Sequence, residues 1–194
     1  MKDKSGFLSR NYKKCWSFLK SSKNYIYFSI LIFIFFTLIG FILPIFFQEE
    51  IISLVNNLSR QIEGLNLIQL IGFIFFNNLK TSFLAIALGI FLGIFPFAIS
   101  IVNGYLLGFV ARNSVDKAGV FVLWRVLPHG IFELPAVIMS IGIGMKLGIG
   151  LFKIKNTKEY KKEIIEALRF FAFVIFPLLL IAAIIEGLLI FYMK

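Results

Sequence analysis

Long apolar runs alternate with short polar segments along the chain, and this alternation predicts helices that span a membrane. The first run, residues 25–47, is apolar apart from Ser29 and Thr37 and is long enough to cross a bilayer as a helix. Further apolar runs lie within residues 70–150 and 170–192. We predict an all-α, polytopic helical bundle with about five membrane-embedded segments, and we treat the whole chain as one membrane domain.

The segments between these runs differ in character. Residues 1–24 are basic, which predicts a cytoplasmic segment that is either a helix on the inner membrane surface or a frayed tail. Residues 51–68 repeat apolar positions with a helical period, which predicts an external amphipathic helix too polar to span. That helix could be a lid, a partner-binding helix or the cover of a connection. Residues 152–169 are charged and predict a cytoplasmic connection before the last span, residues 170–192.

The apolar run of residues 82–110 leaves the path of the chain open, because it exceeds one bilayer thickness. If Pro96 divides it into two short crossings, the total is five and the polar turn at residues 112–117 lies outside with the C-terminus. If it is one tilted helix, residues 119–149 form a re-entrant pair bent at the prolines, and the turn lies inside. The positive-inside bias favours the second arrangement.

Composition and charge place the chain in a membrane and exclude a water-soluble domain. The sequence is 59% hydrophobic, and its mean hydropathy is +0.92. Its net charge of +10 is concentrated in residues 1–24 and 152–169, a pattern typical of cytoplasmic segments beside anionic lipid rather than of nucleic-acid binding. Polar residues follow the first span, so we expect a multi-pass cell-membrane protein with a cytoplasmic N-terminus. Its expected partners are the lipid bilayer and other membrane proteins, and not nucleic acid.

Ionisable side chains interrupt the apolar run of residues 119–149 at intervals of four positions, which places them along one stripe of a helix. An unpaired charge at the bilayer centre costs about 3 kcal/mol on insertion scales, so we expect these groups to bond to one another and to polar residues of other spans. Pro128 and Pro135 in the same stretch predict a bend or break. The predicted intramembrane network consists of Asn103, Arg125, His129, Glu133 and Glu186.

Pairs of glycines four positions apart predict close packing between helices, because small residues let backbones approach in a membrane. The pairs are Gly89 with Gly93 and Gly104 with Gly108. Formation of a homo-oligomer through such a face is the alternative interpretation.

Residue counts argue against catalysis. A zinc protease motif of the HExxH type needs two histidines, whereas the chain has one His and one Cys. Ser100 and Ser140, the serines considered as nucleophiles beside His129, lie in no GxSxG-like context. We therefore expect no metal, no cofactor and no enzymatic activity. The polar network either fixes the packing of a scaffold or lines a path for protons or small solutes, so a transporter is the alternative.

Three short motifs resemble the stage II sporulation protein M family of integral membrane proteins. They are the pair Asn77 and Asn78, the run NGYLLG at residues 103–108, and LPHGIFELPA at residues 127–136. The resemblance covers about residues 70–190 and is most specific at PHGxxE followed by LPA. It implies a membrane architecture, and the sporulation member of the family acts with a peptidoglycan-degrading partner and a second membrane partner at the septum, as the anchor of that assembly. We therefore expect an anchor or component of a membrane complex.

Overall fold

The computed structural model describes residues 6–125, 127–154 and 156–192, with the side chains at 124, 125, 127–129 and 131 outside its description. The α-helices are α1 (Phe7–Ile42), α2 (Gln48–Ile62), α3 (Leu67–Ala87), α4 (Ile94–Ala118), α5 (Leu127–Lys153), α6 (Thr157–Phe170) and α7 (Phe176–Tyr192). Short 3₁₀ turns cover Leu88–Ile90 and Val120–Arg125, and a π-helical turn covers Phe171–Ile175.

Five helical segments within the described residues are long and apolar enough to cross a membrane. This confirms the predicted all-α bundle with five membrane segments. The segments are Phe7–Ile42, Leu67–Ile90, Ile94–Ala118, Phe132–Lys153 and Thr157–Tyr192.

Helix α1 begins at Phe7 and includes most of the basic segment that we predicted to be separate from the first span. Its 36 residues give a length of about 54 Å, well above the ~30 Å of bilayer hydrocarbon. Phe18 is buried against Phe170, with 6.0 Å between ring centroids, and this packing stabilises the N-terminal part of the helix. The helix ends at Ile42, before the predicted end of the span, because Pro44 disfavours helical geometry at the residue before it.

The amphipathic helix α2 also differs in its bounds from the predicted residues 51–68. It begins at Gln48, so that Glu49 and Glu50 lie in its first turn, where negative charge is favourable. The helix ends at Ile62, and Asn66 then starts α3 with a capping box. Its side-chain oxygen accepts from the Gln69 backbone N–H at 2.9 Å, and the Gln69 side chain accepts from the Asn66 N–H at 3.1 Å.

The run of residues 82–110 divides, but not at Pro96. Helix α3 gives way to the 3₁₀ turn, and the chain reverses at Leu92 and Gly93, whose φ angles are 60° and 71°. Pro96 is the third residue of α4, in the first turn, where a missing N–H costs no hydrogen bond. The result is two full-length spans rather than two short crossings or one tilted helix.

The last span is longer than predicted because α6, the π-helical turn and α7 follow one another without a break. Most of the predicted connection at residues 152–169 is therefore helix, and the actual connection lies between Lys153 and Thr157. Pro177 follows the π-helical turn, the kind of local adjustment that accommodates a missing donor. Of the predicted bend or break at Pro135, the break does not occur, since α5 is helical on both sides of this residue.

Helix α5 lies at the centre of the bundle, in contact with α1, α3, α4 and α7. Within its membrane segment 56% of the apolar window is buried, against 17–28% for the other four. The helix that carries PHGxxE is thus the one against which the others pack.

Candidate functional site

Two carboxyl groups and an amide meet inside the bundle. The side chain of Glu133 on α5 lies beside Glu186 on α7 and Asn78 on α3, close enough to interact with both. Two carboxyl groups can bond to each other only if one of them carries a proton, and the Asn78 amide is a further donor group beside them. All three residues are half-buried. They come from three helices, so the site lies where α3, α5 and α7 meet.

Glu133 is the polar neighbour of Glu186. The Oε2 atom of Glu186 is shielded from solvent and has no hydrogen-bond partner among the described residues. A buried polar atom without a partner is costly, so we expect a proton shared with Glu133 to satisfy this group.

The structure does not bring all five residues of the predicted network together. Asn103 donates from its side-chain nitrogen to the Ile99 carbonyl at 2.8 Å, within its own helix, and not to another helix as we expected. This bond satisfies the amide locally, as polar side chains in membrane helices often do. The side chains of Arg125 and His129 lie outside the described residues. Glu133 and Glu186 are the two network members that the structure places in contact.

Asn78 is a member of the site that the sequence analysis did not assign to the network. The signal was present, because an amide pair at residues 77 and 78 interrupts an apolar run. Asn77, its neighbour, is exposed. The two amides differ only in the face of α3 on which they lie.

The four glycines predicted to pack helices have different surroundings. On α4, Gly104 and Gly108 face α1: a Cβ at Gly108 would overlap the Thr37 carbonyl oxygen, and one at Gly104 would lie 2.7 Å from the Phe33 carbonyl oxygen. Gly89 faces the backbone of α5 at Gly144 in the same way. Gly93 precedes α4 with a positive φ, so it forms the turn rather than a helix face. Gly40 of α1 and Gly148 of α5, which the glycine pairs did not include, complete these contacts.

A second polar cluster, centred on Lys146 of α5, joins three helices near the opposite end of that helix. The Lys146 ammonium lies 2.7 Å from the Glu163 carboxylate of α6 and donates to the Ser21 hydroxyl of α1 at 2.8 Å. It also lies 4.2 Å from the ring centroid of Phe18. A lone lysine within a glycine-rich apolar run was the signal for this cluster, but its partners are more than 15 positions away in sequence.

Other polar contacts near Lys146 support the same junction. The Tyr160 hydroxyl of α6 donates to the Leu147 carbonyl of α5 at 3.2 Å, and Arg169 forms an ion pair with Glu166. Among the described residues, no group of three or more potential ligands could hold a metal ion. The contacts of Lys146 and Tyr160 are links between helices.

Comparison with known proteins identifies one family. A family model described as stage II sporulation protein M matches residues 29–189. The chain is 32% identical over 144 residues to the uncharacterized protein MJ0706 of Methanocaldococcus jannaschii, an alignment that covers 68% of this chain and 64% of that protein. It is 33% identical over 115 residues to the uncharacterized protein MJ0793 of the same organism, covering 57% and 65%. The chain thus spans just under two thirds of the length of these relatives. No solved structure matches.

Proposed function

Because the chain belongs to the stage II sporulation protein M family, we propose that it is a noncatalytic component of a membrane complex, in which it anchors other membrane proteins. Its relatives in Methanocaldococcus jannaschii have no assigned activity, so the argument rests on this chain's own geometry. An anchor needs a rigid membrane body, and the polar and small residues of the bundle are arranged to provide one.

The observation that carries the proposal is the meeting of Glu133, Glu186 and Asn78 inside the bundle. Intramembrane ionisable groups are costly and usually mark either a transport path or a structural link. Here the groups lie beside one another on three helices, so bonds between them would fix the relative positions of α3, α5 and α7. Interhelical hydrogen bonds of this kind stabilise membrane bundles by about 0.6–1.7 kcal/mol each.

Backbone-to-backbone packing supports the same interpretation. Helix α1 meets α4 at Gly104 and Gly108, and the 3₁₀ turn after α3 meets α5 at Gly89 and Gly144, with no room for a Cβ at these contacts. Surfaces that fit so closely separate only with loss of many contacts. A body built in this way holds its outer surfaces at fixed positions, as an anchor requires.

The experiment that tests the proposal is affinity purification of the chain from native membranes in mild detergent, with quantitative mass spectrometry of the proteins that accompany it. An equally expressed, unrelated multi-pass protein purified in parallel is the control. We expect at least one membrane protein at near-stoichiometric amounts with this chain and not with the control. If no protein exceeds the control level, the anchoring function is wrong.

The alternative function is proton-coupled or small-solute transport, and the same carboxyl pair is the observation that favours it. A proton held between Glu133 and Glu186 is the kind of group that a transporter exchanges during its cycle. The purified chain in liposomes distinguishes the two. Transport predicts that the wild type dissipates an imposed proton or solute gradient and that a folded Glu133→Gln variant does not.

A further inference from the structure

The described residues include five fully buried polar side chains, all of them serines: Ser22, Ser29, Ser82, Ser100 and Ser140. The hydroxyls of Ser22, Ser29 and Ser140 donate to the carbonyl four positions earlier in their own helices, at 2.8–2.9 Å. Serines in membrane helices commonly satisfy their hydroxyls in this way. The hydroxyls of Ser82 and Ser100, in contrast, have no hydrogen-bond partner in the described part of the chain. A buried polar atom without a partner is costly, so these two hydroxyls indicate a ligand.

Contacts of two glycines on α5 show which parts of α3 and α4 lie beside it. A Cβ at Gly144 would overlap the Ala85 carbonyl oxygen of α3 and would lie 2.8 Å from the Pro96 Cγ atom of α4. One turn further along α5, a Cβ at Gly148 would meet the Gly89 carbonyl oxygen, one turn after Ala85. Helix α3 therefore runs in the direction of α5. Helix α4 follows the reversal of the chain and runs in the opposite direction.

One turn from the Gly144 contact, each of the three helices has a fully buried serine at the same level. On α5, Ser140 precedes Gly144 by four positions. On α3, Ser82 precedes the alanine that contacts Gly144 by three positions, and on α4, Ser100 follows the contacting proline by four. Residues three or four positions apart lie on the same face of a helix. Because the helix directions make all three steps point the same way, the three serines face one another, and we call them the hydroxyl site.

The hydroxyl site is separate from the polar clusters described above. Ser82 lies one turn from Asn78 on α3, and Ser140 lies two turns from Glu133 on α5. Lys146 bonds to α1 and α6, and not to α3 or α4. Lys80, the charged residue nearest to Ser82 in sequence, is exposed on another face of α3. The hydroxyl site therefore consists of neutral groups, and its ligand is neutral as well.

The donors and acceptors of the site match one small molecule. The Ser140 hydroxyl gives its proton to the Ala136 carbonyl at 2.8 Å, so its oxygen remains an acceptor. The hydroxyls of Ser82 and Ser100 are both free to donate. A water molecule has two donors and two acceptors, and buried waters make about three hydrogen bonds to groups of this kind.

We propose that the hydroxyl site binds one water molecule, which accepts hydrogen bonds from Ser82 and Ser100 and donates one to Ser140. The water thereby joins α3, α4 and α5 through their side chains. It extends the polar links of the bundle to α4, which contributes no residue to the carboxyl site. This inference does not depend on the anchoring function.

Thermal unfolding of serine variants in mild detergent tests the proposal, because the sign of the effect differs with and without a bound water. Removal of an unpartnered buried hydroxyl would leave Tm unchanged or raise it, since a desolvation cost is lost. If water is bound, Ser82→Ala and Ser100→Ala each remove one of its hydrogen bonds. Each variant is then expected to lower Tm by about 2–4 °C. An unchanged or higher Tm in both variants overturns the proposal.

The double variant tests whether the two serines share one ligand. Their side chains do not bond to each other, so independent sites would give additive losses of Tm. A shared water predicts that Ser82→Ala with Ser100→Ala loses less than the sum of the two single variants. Ser22→Ala, at a fully buried serine of α1 that bonds within its own helix, is the control and is expected to be additive with Ser100→Ala. Additive losses for Ser82→Ala with Ser100→Ala contradict a shared water.

A crystal structure of the full chain at a resolution that shows ordered water gives the direct readout. We expect one density peak within hydrogen-bond distance of the three serine Oγ atoms. Hydroxyls that bond to one another or to backbone carbonyls, with no peak between them, overturn the proposal.

The dependence of Tm on sodium distinguishes water from a small cation at the same site. Wild-type Tm in sodium chloride is expected to equal that in choline chloride at the same concentration. A sodium-dependent rise in Tm that Ser82→Ala abolishes would identify a cation as the ligand and would overturn the assignment to water.

Discussion

Glu133 on α5 and Glu186 on α7 lie side by side, although both are carboxyl groups within membrane-spanning helices. A hydrogen bond between them requires a shared proton, and the Asn78 amide of α3 lies beside Glu133 as a polar group of a third helix. Since α5 is the most buried span, the pair joins the centre of the bundle to two helices at its edge. This relationship and the Lys146 cluster determine where the bundle is vulnerable to substitution.

The two adjacent asparagines of α3 provide a matched comparison for the carboxyl site. Asn78→Ala removes the amide beside Glu133 and is expected to lower the free energy of unfolding by about 0.5–1.5 kcal/mol. Asn77→Ala changes an exposed amide and is expected to have little effect. Thermal unfolding in mild detergent, followed by loss of the monodisperse peak in size-exclusion chromatography, measures both. Equal losses for the two variants would show that Asn78 has no special role.

The Lys146 cluster predicts that removing the charge of Lys146 lowers the free energy of unfolding. Lys146→Met keeps the length of the side chain but leaves the Glu163 carboxylate without its cation, 2.7 Å away in the wild type. We expect a loss of about 1–2 kcal/mol in the free energy of unfolding, because the side chains are only 12% and 32% exposed.

Lys158→Met, which changes an exposed lysine of α6, is the control for this prediction. A double-mutant cycle of Lys146→Met with Glu163→Gln isolates the pair, and its coupling energy is expected to be about 1 kcal/mol. A coupling energy near zero would mean that the two side chains do not stabilise each other.

Close approach of α1 and α4 makes Gly108 sensitive to a single methyl group. In Gly108→Ala the new Cβ would overlap the Thr37 carbonyl oxygen, so the helices must move apart at a cost of about 1–3 kcal/mol. Gly72→Ala on α3 is the control, because no described atom lies within 4 Å of its Cβ position. Gly72→Ala is expected to leave stability unchanged or to raise it by up to about 1 kcal/mol through helix propensity. If the two variants have equal stability in the same thermal assay, the packing argument is wrong.

Orientation in the membrane is a further prediction. With a cytoplasmic N-terminus, the one span before α2 places α2 outside the cell, and the four spans before α6 place the connection that precedes it inside. On a Cys15→Ser background, Ser59→Cys in α2 is expected to react with a membrane-impermeant maleimide in intact cells. Lys158→Cys is expected to react only after permeabilisation, and the Cys15→Ser protein is the unlabelled control. The reverse pattern would invert the topology.

Hydrophobic patterning predicted the fold class and the number of membrane segments, because runs of about 20 apolar residues have few other stable structures. It did not predict where helices break. Pro96 and Pro135 are compatible with helix in their positions, whereas the chain reverses at Leu92 and Gly93 through positive φ angles. Patterning left the form of residues 1–24 open between a surface helix and a frayed tail, and it did not predict that residues 7–24 continue directly into the first span as one helix.

The candidate site likewise combines residues that the local sequence reveals with contacts that only the tertiary structure determines. Glu133 and Glu186 were identifiable because a carboxyl group in an apolar run needs a partner. Which groups meet depends on the neighbourhood of α3, α5 and α7, and this information is absent from the local pattern. For the same reason Asn78 was not assigned, and the bond of Asn103 within its own helix was not predicted.

The central claim is that the carboxyl pair is a structural link within an anchor, and comparison of Glu133→Gln with Glu133→Ala tests it most directly. Glutamine keeps the size of the side chain and supplies an N–H donor toward Glu186 in place of the shared proton, whereas alanine leaves Glu186 unpaired. The measurement is the amount of each co-purifying membrane protein recovered per folded chain from native membranes. We predict that Glu133→Gln recovers the wild-type amount and that Glu133→Ala recovers much less. A folded Glu133→Gln variant that loses the partners, or a folded Glu133→Ala variant that keeps all of them, would contradict the claim.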